Sequence, residues 1–408
     1  MLLAASLCHA ARQPDASPDR VVLNLTTNPA TSVAVSWRTA PDVTNSVGEI
    51  AVAEPGPHFV SKAVRVAGVT REVPGENRTA AYHEVRFEGL SPRTLYAYRV
   101  GDGAHWSEWN HFETAAGGPE PFSFIYFGDA QNDILSHCSR VVRQAFMHCS
   151  EADFTLHAGD LVNVSNSDAE WGEWFDTAGW INRTLPVIAA PGNHEYGRGG
   201  LTTHWRLLFA MPDNGPPGLE ESAYFLDYQG VRFVALNSNE KHAEQAAWMN
   251  KVLRDNPNHW TVVTMHHPVY SSTPGRDNRS VRDLWQPVFD ARNVDLVLQG
   301  HDHTYARTEL MKHDPELQAG HQAVQSDSGV VYVVSVCGPK MYGLHKAGFM
   351  RQAAANTQLY QIIDVGSDRL RFDAYNAIGQ RVDGFTLTKD ADGNRRLIED
   401  PRSTGNGH

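Results

Sequence analysis

The sequence predicts an α/β domain that is preceded by a small all-β sandwich. Residues 20–115 alternate apolar and polar positions between turn residues, which is typical of strands with one buried face. After residue 121, apolar runs alternate with helical stretches, the pattern of a sheet flanked by helices. The Gly- and Pro-rich segment AAGGPEP at 115–121 separates the two parts.

Length, composition and charge narrow the classes of protein that fit. With 408 residues, of which 41% are apolar, the chain is long enough for two or three domains with ordinary cores. The formal net charge is −12, so no surface for binding nucleic acid is predicted. No run reaches about 18 apolar residues, and no membrane span is therefore predicted. The oligomeric state is left open.

The two ends of the chain and its four cysteines lead to three predictions. MLLAASLCHAA resembles the core of a signal peptide, so residues 1–19 are interpreted as a candidate leader and linker, and a secreted or periplasmic location is predicted. Residues 391–408 are predicted to be a polar tail. Cys138 and Cys149 fall at opposite ends of a predicted helix over 137–150, too far apart to pair, and free thiols are predicted.

The strands of the first part place two aromatic residues in recognisable positions. Trp37 follows an alternating run and is predicted to face the core. Leu90-Ser91-Pro92 leads to Tyr96, which predicts a tyrosine corner. Residues 20–115 resemble a fibronectin type III domain, and a scaffold role is expected for them.

The second part is predicted to alternate strands and helices up to residue 390. Further helices are expected near 170–176, over 243–254 and over 280–291, and Gln229-Gly230 predicts a β-hairpin turn. In such α/β domains the functional residues gather at the carboxyl ends of the strands. Five polar motifs follow apolar runs in this way: GDAQ at 128–131, GDLVN at 159–163, GNHE at 192–195, MHHP at 265–268 and GHDH at 300–303.

The motifs together predict a site for two metal ions. Gly-Asp alone is a common turn, and a single His pair is often structural. Five motifs in series, however, supply carboxylates, an amide oxygen and imidazoles, which together can hold two divalent cations. Two cations about 4 Å apart can activate a hydroxide that attacks phosphorus in line.

The ordered motifs resemble those of the calcineurin-like metallophosphoesterases, in particular the purple acid phosphatases, along nearly the whole chain. The resemblance implies a four-layer α/β/β/α sandwich over residues 121–390, after the fibronectin-like domain. It also implies that Asp160 bridges two ions, and that His194 remains free to act as an acid or to stabilise phosphate. The other implied ligands are Asp129 and His303 for the first ion, and Asn193, His266 and His301 for the second.

Two positions depart from the family pattern. Asn163 stands where purple acid phosphatases have a tyrosine, and Gln131 stands where other metallophosphoesterases have a histidine. Their amide oxygens are candidate substitute ligands of the first ion. Without the phenolate, an iron-loaded protein is expected to be pale. The identity of the metals stays open among Fe, Zn and Mn.

The leading hypothesis is a hydrolase of small phosphate monoesters, similar to the acid phosphatases. His267 and Arg198 are candidate substrate contacts, and Asp302 is expected to face away as an orienting group. One alternative is a phosphodiesterase that acts on nucleotides or lipid head groups. Another is a binding protein without catalysis, whose metal site is vestigial. The physiological substrate is left open.

Overall fold

The computed structural model describes residues 13–71, 79–314, 329–345, 348, 350–390 and 393–400. Most of the candidate leader, residues 1–12 with Cys8, lies outside these ranges, as do residues 391–392 and 401–408 of the predicted tail. Within the described ranges, every helix is too short or too polar to span a bilayer.

The described residues form five α-helices and 24 strands. The helices are α1 (Ser139–His148), α2 (Asp168–Ala178), α3 (Thr203–Leu208), α4 (His242–Arg254) and α5 (Arg279–Ala291). The strands are β1 (Asp19–Leu25), β2 (Val33–Thr39), β3 (Val47–Val52), β4 (Val64–Ala67), β5 (Val69–Arg71), β6 (Ala81–Phe87), β7 (Leu95–Gly101), β8 (Asn110–Glu113), β9 (Phe122–Phe127), β10 (Phe154–His157), β11 (Val187–Ala189), β12 (Tyr196–Gly197), β13 (Gly200–Leu201), β14 (Tyr224–Tyr228), β15 (Val231–Leu236), β16 (Trp260–Met265), β17 (Leu296–Gln299), β18 (Tyr305–Thr308), β19 (Val331–Val334), β20 (Met350–Ala354), β21 (Leu359–Val365), β22 (Arg369–Asn376), β23 (Arg381–Lys389) and β24 (Arg395–Glu399).

The first part is an all-β sandwich, as predicted. Strands β5, β6, β2 and β1 lie in one layer, and β4, β3, β7 and β8 form the other. Alternate apolar residues from both layers form one core around the buried Trp37. The Tyr96 hydroxyl accepts a hydrogen bond from the backbone N–H of Ser91 at 2.9 Å, which is the bond expected of a tyrosine corner.

The sandwich is joined to the second part by a continuous sheet, which the sequence did not predict. Strand β1 pairs in parallel with β11, with Asn24 opposite Val187, so that one sheet of 11 strands runs through both parts. Arg20 and Arg38 of the sandwich are buried and pair with Asp168 at the start of α2, at 2.7 and 3.0 Å. The sandwich therefore supports the second part as a rigid neighbour.

The second part has the expected four layers. Its portion of the long sheet, β24-β23-β22-β21-β9-β10-β11, packs on a second sheet of order β14-β15-β16-β17-β19-β18-β20. Phe124 and Phe154 of the first sheet contact Phe233 of the second, with ring centroids 5.4 and 5.3 Å apart. Helices α1 and α2 pack on the first sheet, and α4 and α5 share a core with the second.

Most predicted elements are present, and two regions differ from expectation. Helices α4 and α5 and the hairpin of β14 and β15 lie where predicted. The helix predicted over 137–150 is present as α1, two residues shorter at each end, and a π-helical turn at Ile134–Cys138 precedes it. Part of the predicted tail is strand β24, because Arg395 is buried against the carboxylate of Asp295 and fixes this segment to the sheet edge.

The buried imidazole of His83 predicts a specific sensitivity to acid. Both ring nitrogens lie within hydrogen-bond distance of hydroxyls, Thr39 at 2.7 Å and Thr70 at 3.0 Å, and burial lowers the pKa of His83 from 6.5 to about 4. As the pH falls below 6.5, the unfolded chain binds a proton here that the folded protein does not yet bind. We expect the free energy of unfolding to fall between pH 6.5 and 4 by up to about 1.4 kcal/mol per pH unit from this group.

Urea unfolding of wild type and H83Q across this pH range measures the effect. Gln keeps polar contacts but does not ionise, so the H83Q curve should be flatter than that of wild type. H58Q, at an exposed histidine of the same sandwich, should keep the wild-type slope. Equal slopes for wild type and H83Q would contradict the assignment.

Candidate metal centre

The polar motifs meet where the two packed sheets end. Asp129 and Asp160 follow β9 and β10 of one sheet, and His266 and His301 follow β16 and β17 of the other. A Cβ atom at Gly192 or Gly300 would collide with the carboxylate of Asp160 or Asp129, so only glycine permits this approach. The sequence-predicted residues are thereby brought to one location.

One half of the centre is organised around the Nε2 atom of His266. This atom lies 3.1 Å from Asn193 Oδ1, 3.1 Å from Asp160 Oδ2 and 3.1 Å from His301 Nδ1. The other ring nitrogen, Nδ1, donates to the carbonyl of Ala158 at 2.9 Å. In a neutral His266, Nε2 therefore presents a lone pair to two oxygens and a second imidazole.

Such a set of acceptors requires positive charge at its centre. Burial lowers the pKa of His266, but the charge of Asp160 and its hydrogen bond raise it to about 9. A proton on Nε2 is the smallest cation that satisfies these groups. A metal ion could bind all four of these atoms at once, because amide oxygen, carboxylate and imidazole are common ligands of divalent ions.

The other half of the centre consists of Asp129, Asp160 and His303, whose candidate ligand atoms lie within 4.8 Å of one another. His303 Nδ1 donates to the carbonyl of Lys340 at 2.9 Å, so Nε2 carries a lone pair; it lies 3.5 Å from Asp129 Oδ1 and 2.8 Å from the Gln131 amide nitrogen. Burial, together with the charge of Asp160, raises the pKa of Asp129 well above its usual value. Two buried carboxylates side by side are costly unless a cation lies between them.

Orphaned oxygens mark the same place. Asp129 Oδ1 and Gln131 Oε1 are buried, and neither has a hydrogen-bond partner among the described residues. The Gln131 amide nitrogen lies 2.8 Å from His303 Nε2. Buried polar atoms without partners are uncommon in folded proteins. The residues present therefore fit a cation in this half as well.

The backbone at the centre is held in conformations that side chains disfavour. Asp160, His301 and His303 have φ angles of 51°, 76° and 47°, in the left-handed region. Each such residue costs on the order of 1–3 kcal/mol, and strain of this kind is typical of functional sites. The conformation aims three side chains from tight turns at one point.

Glu195 stabilises the strained loops, a role that the sequence did not reveal. Its carboxylate is fully buried and accepts hydrogen bonds from the backbone N–H groups of Asp160, Leu161 and Gly192, at 2.9, 2.8 and 2.7 Å. Burial and the charge of Asp160 raise the pKa of Glu195 to about 7. Glu195 ties the GDLVN loop to the GNHE loop and is not a free metal ligand.

His194 is oriented by two hydrogen bonds to residues of the GDLVN loop. Its N–H donates to Asp160 Oδ1 at 2.9 Å, and its ring Nδ1 donates to the carbonyl of Asn163 at 2.6 Å. The opposite ring nitrogen, Nε2, is the one that remains for other partners. Asn163 thus positions His194 through its backbone, whatever its side chain does.

Comparison with known proteins agrees with this arrangement. Residues 18–114 match the purple acid phosphatase N-terminal domain family, and residues 122–305 match the calcineurin-like phosphoesterase family. Residues 122–305 are therefore a calcineurin-like phosphoesterase domain. The domain in front of it is of the purple acid phosphatase N-terminal type, and this order of domains is the one that the resemblance of the motifs implied.

Three relatives illustrate the extent of the likeness. An uncharacterized protein of Mycobacterium tuberculosis is 27% identical over 325 residues, which cover 70% of this chain and 61% of that protein. Purple acid phosphatase 21 of Arabidopsis thaliana is 28% identical over 55% of this chain and 53% of its own length. The structure of a purple acid phosphatase from yellow lupin seeds superposes with a TM-score of 0.76 at 18% identity, over 92% of this chain and 75% of that one.

The rim of the candidate metal centre contains two basic side chains, Arg276 and Lys340, that no sequence motif indicated. Arg276 Nη2 donates to the carbonyl of His301 at 3.1 Å, and its guanidinium lies 5.0 Å from the ring centroid of Tyr342. Tyr342 in turn packs on His303, with centroids 4.5 Å apart, and Lys340 Nζ lies 5.5 Å from the Tyr342 ring. These residues come from irregular loops, where neither periodicity nor a motif signals them.

The remaining predicted residues are divided between the centre and its surroundings. His267 is at the centre, since its ring lies 4.4 Å from that of His301 and its Nδ1 lies 2.8 Å from the Ser238 hydroxyl. Asp302 faces away, as predicted, and accepts from Ser272 N at 2.7 Å. Arg198 is exposed in the turn between β12 and β13 and forms no hydrogen bond or ion pair with other described residues.

The Asp160→Asn variant tests whether the candidate metal centre binds metal ions. The carboxylate belongs to both halves, so its neutralisation should lower the metal content of the purified protein at both. Metal analysis by mass spectrometry, on protein folded with and without added Zn²⁺, Mn²⁺ and Fe²⁺, measures this directly. Asp42→Asn, at an exposed position of the sandwich, should retain the wild-type content. Equal metal content in wild type and D160N would contradict the centre.

Proposed function

We propose that the protein hydrolyses small phosphate monoesters with two metal ions. The observation that carries the proposal is the convergence of Asn193, Asp160 and His301 on His266 Nε2, beside orphaned oxygens of Asp129 and Gln131. The chain spans 61% of the length of its mycobacterial relatives, so the activity is inferred from the centre and not transferred from them.

Each half of the centre would hold one ion. His266, His301 and Asn193 would hold the second ion, Asp129 and His303 the first, and Asp160 both. Bound cations supply Lewis acidity, which activates water and neutralises charge on the phosphoryl group. Fe, Zn or Mn would suit these ligands, with iron expected to be pale because Asn163 supplies no phenolate.

Gln131 is the proposed additional ligand of the first ion. Its Oε1 atom is buried and unpartnered. Its amide nitrogen donates to His303 Nε2 at 2.8 Å, and this hydrogen bond would have to break for that nitrogen to bind the ion. An amide oxygen is a weaker ligand than the imidazole found in other metallophosphoesterases. Asn163 is the other candidate, because its hydrogen bonds to His194 and Glu170 use the backbone and not the side-chain amide.

His194 is proposed to protonate the leaving oxygen or to hold the phosphoryl group. Its Nδ1 proton is committed to the carbonyl of Asn163, so Nε2 is the atom that faces substrate. The hydrogen bond from His194 N–H to Asp160 Oδ1 keeps the ring next to both halves of the centre. His267 and Arg276 lie next to His301 and are proposed to contact phosphate oxygens.

We also propose that the protein is secreted or periplasmic, because the segment MLLAASLCHAA resembles the core of a signal peptide.

Replacing His194 by alanine should separate catalysis from metal binding. We expect kcat for p-nitrophenyl phosphate to fall roughly 10²- to 10⁴-fold, the range of general acid catalysis, with the metal content unchanged. His105→Ala, at a partly exposed histidine of the sandwich, should keep full activity. An H194A variant with wild-type kcat across the pH range would exclude the acid role.

The charge at the rim predicts a preference for monoesters over diesters. A monoester carries one more negative charge than a diester, and Arg276 and Lys340 lie beside the centre to meet it. Parallel assays with p-nitrophenyl phosphate and its bis-ester should show the higher kcat/KM for the monoester. Arg276→Gln should lower this preference about tenfold, the effect of one charged hydrogen bond.

Arg279→Gln is the matched control, because Arg279 is exposed and pairs with Asp283 on the surface of α5. It should leave both substrates unaffected. A wild-type preference for the bis-ester would favour the phosphodiesterase alternative, and no turnover of either ester by the metal-loaded protein would overturn the proposed function.

A further inference from the structure

Two buried thiols meet behind the loop that carries Asp129. The Sγ atoms of Cys138 and Cys337 lie 3.1 Å apart, and each residue is only 1% exposed. Both are free thiols in this structure. Cys138 ends the π-helical turn before α1, and Cys337 follows β19, 199 residues further along the chain.

Cys337 belongs to the segment that supports the metal-ligand loop. Its N–H donates to the carbonyl of Gly128 at 2.9 Å, and the next residue, Gly338, donates to the carbonyl of Asp129 at 2.7 Å. The Cys337 sulfur also lies 3.8 Å from the Asp129 carbonyl oxygen. A Cβ atom at Gly338 would press on the backbone of residues 129–131, so the two segments are closely packed.

Cys138 is tied to the same segment by a second route. The Gln358 side-chain amide donates to the carbonyl of Cys337 at 2.7 Å and to that of His137 at 3.3 Å. The backbones on both sides of the sulfur contact are therefore fixed relative to each other. Cys149 is in a different position, at the far end of α1.

We propose that Cys138 and Cys337 are a disulfide-forming pair that locks the Asp129 loop to the start of α1. Each thiol gives up one proton and one electron, one S–S bond forms, and a small-molecule disulfide such as oxidised glutathione is reduced to two thiols. The sulfurs are inaccessible in the folded protein, so the exchange takes place during folding. Once closed, the bond is shielded from reductants by the same burial.

The bond would act on both stability and the metal centre. It closes a very long loop, and the loss of freedom of the unfolded chain grows with loop length. It would also hold residues 128–131 against residues 337–338. These two segments would then separate less readily, and a bound ion would be released more slowly. The proposal does not depend on the phosphoesterase activity, because both consequences are measurable without turnover.

Peptide mapping of the full-length wild-type protein tests the bond directly. The protein is purified without reductant, denatured, alkylated and digested, and a sample refolded with oxidised glutathione is treated in parallel. We expect a linked peptide pair containing Cys138 and Cys337, lighter by two hydrogen atoms than the sum of the free peptides, that separates on reduction. Full alkylation of both residues in both samples, or a link to Cys8 or Cys149 instead, would overturn the proposal.

Thermal unfolding with and without reductant gives a second, independent measurement. Reduction under unfolding conditions followed by refolding should lower the Tm of wild type by roughly 5–10 °C. Cys149→Ser is the matched control and should behave as wild type does. The C138S/C337S double variant should have the lower Tm in both conditions and lose metal faster to a chelator. A wild-type Tm that reduction does not change would count against the bond, and the peptide map remains decisive if the double variant fails to fold.

Discussion

Negative charge buried at the edge of two sheets is the constraint on which the rest of this structure depends. Asp129 and Asp160 are almost completely inaccessible, and Asp129 Oδ1 and the neighbouring Gln131 Oε1 have no hydrogen-bond partner among the described residues. Burial of unpaired carboxylates costs several kcal/mol each. The proposed pair of metal ions would remove this cost, with candidate ligands from both sheets.

The loops that carry the ligands are stabilised by contacts other than the ligands themselves. Glu195 accepts three short backbone hydrogen bonds and joins two of the loops, while Asp302 anchors the GHDH turn to the segment after β16. These contacts offset the strain of left-handed residues such as Asp160 and His301. The candidate ligands are thereby held in position by hydrogen bonds within the protein itself.

The front sandwich contributes to the same rigidity. Its strand β1 extends the long sheet through β11, the strand that leads to Asn193. Buried arginines of the sandwich pair with Asp168 of α2, which follows the loop of Asp160. A scaffold role is consistent with these contacts, since they reach the centre through its supporting elements and not through substrate.

The sequence by itself determined the two parts of the chain, most helices and strands, and the residue types at the metal centre. These features are local: periodicity reports which face of an element is buried, and a Gly-Asp or His motif reports its own ligand chemistry. Helices α4 and α5 and the five motifs were recognisable for this reason. The predicted helix over 137–150 and the predicted tail were less accurate, because a π-helical turn and the burial of Arg395 depend on distant partners.

Only the tertiary structure decided which atoms meet. Glu195 was visible as a carboxylate beside His194, but its backbone partners Asp160 and Leu161 lie more than 30 residues away. Arg276, Tyr342 and the contact of Cys138 with Cys337 arise from loops and strand ends far apart along the chain. Contacts of this kind are set by how the sheets pack, and no local pattern of residues encodes them.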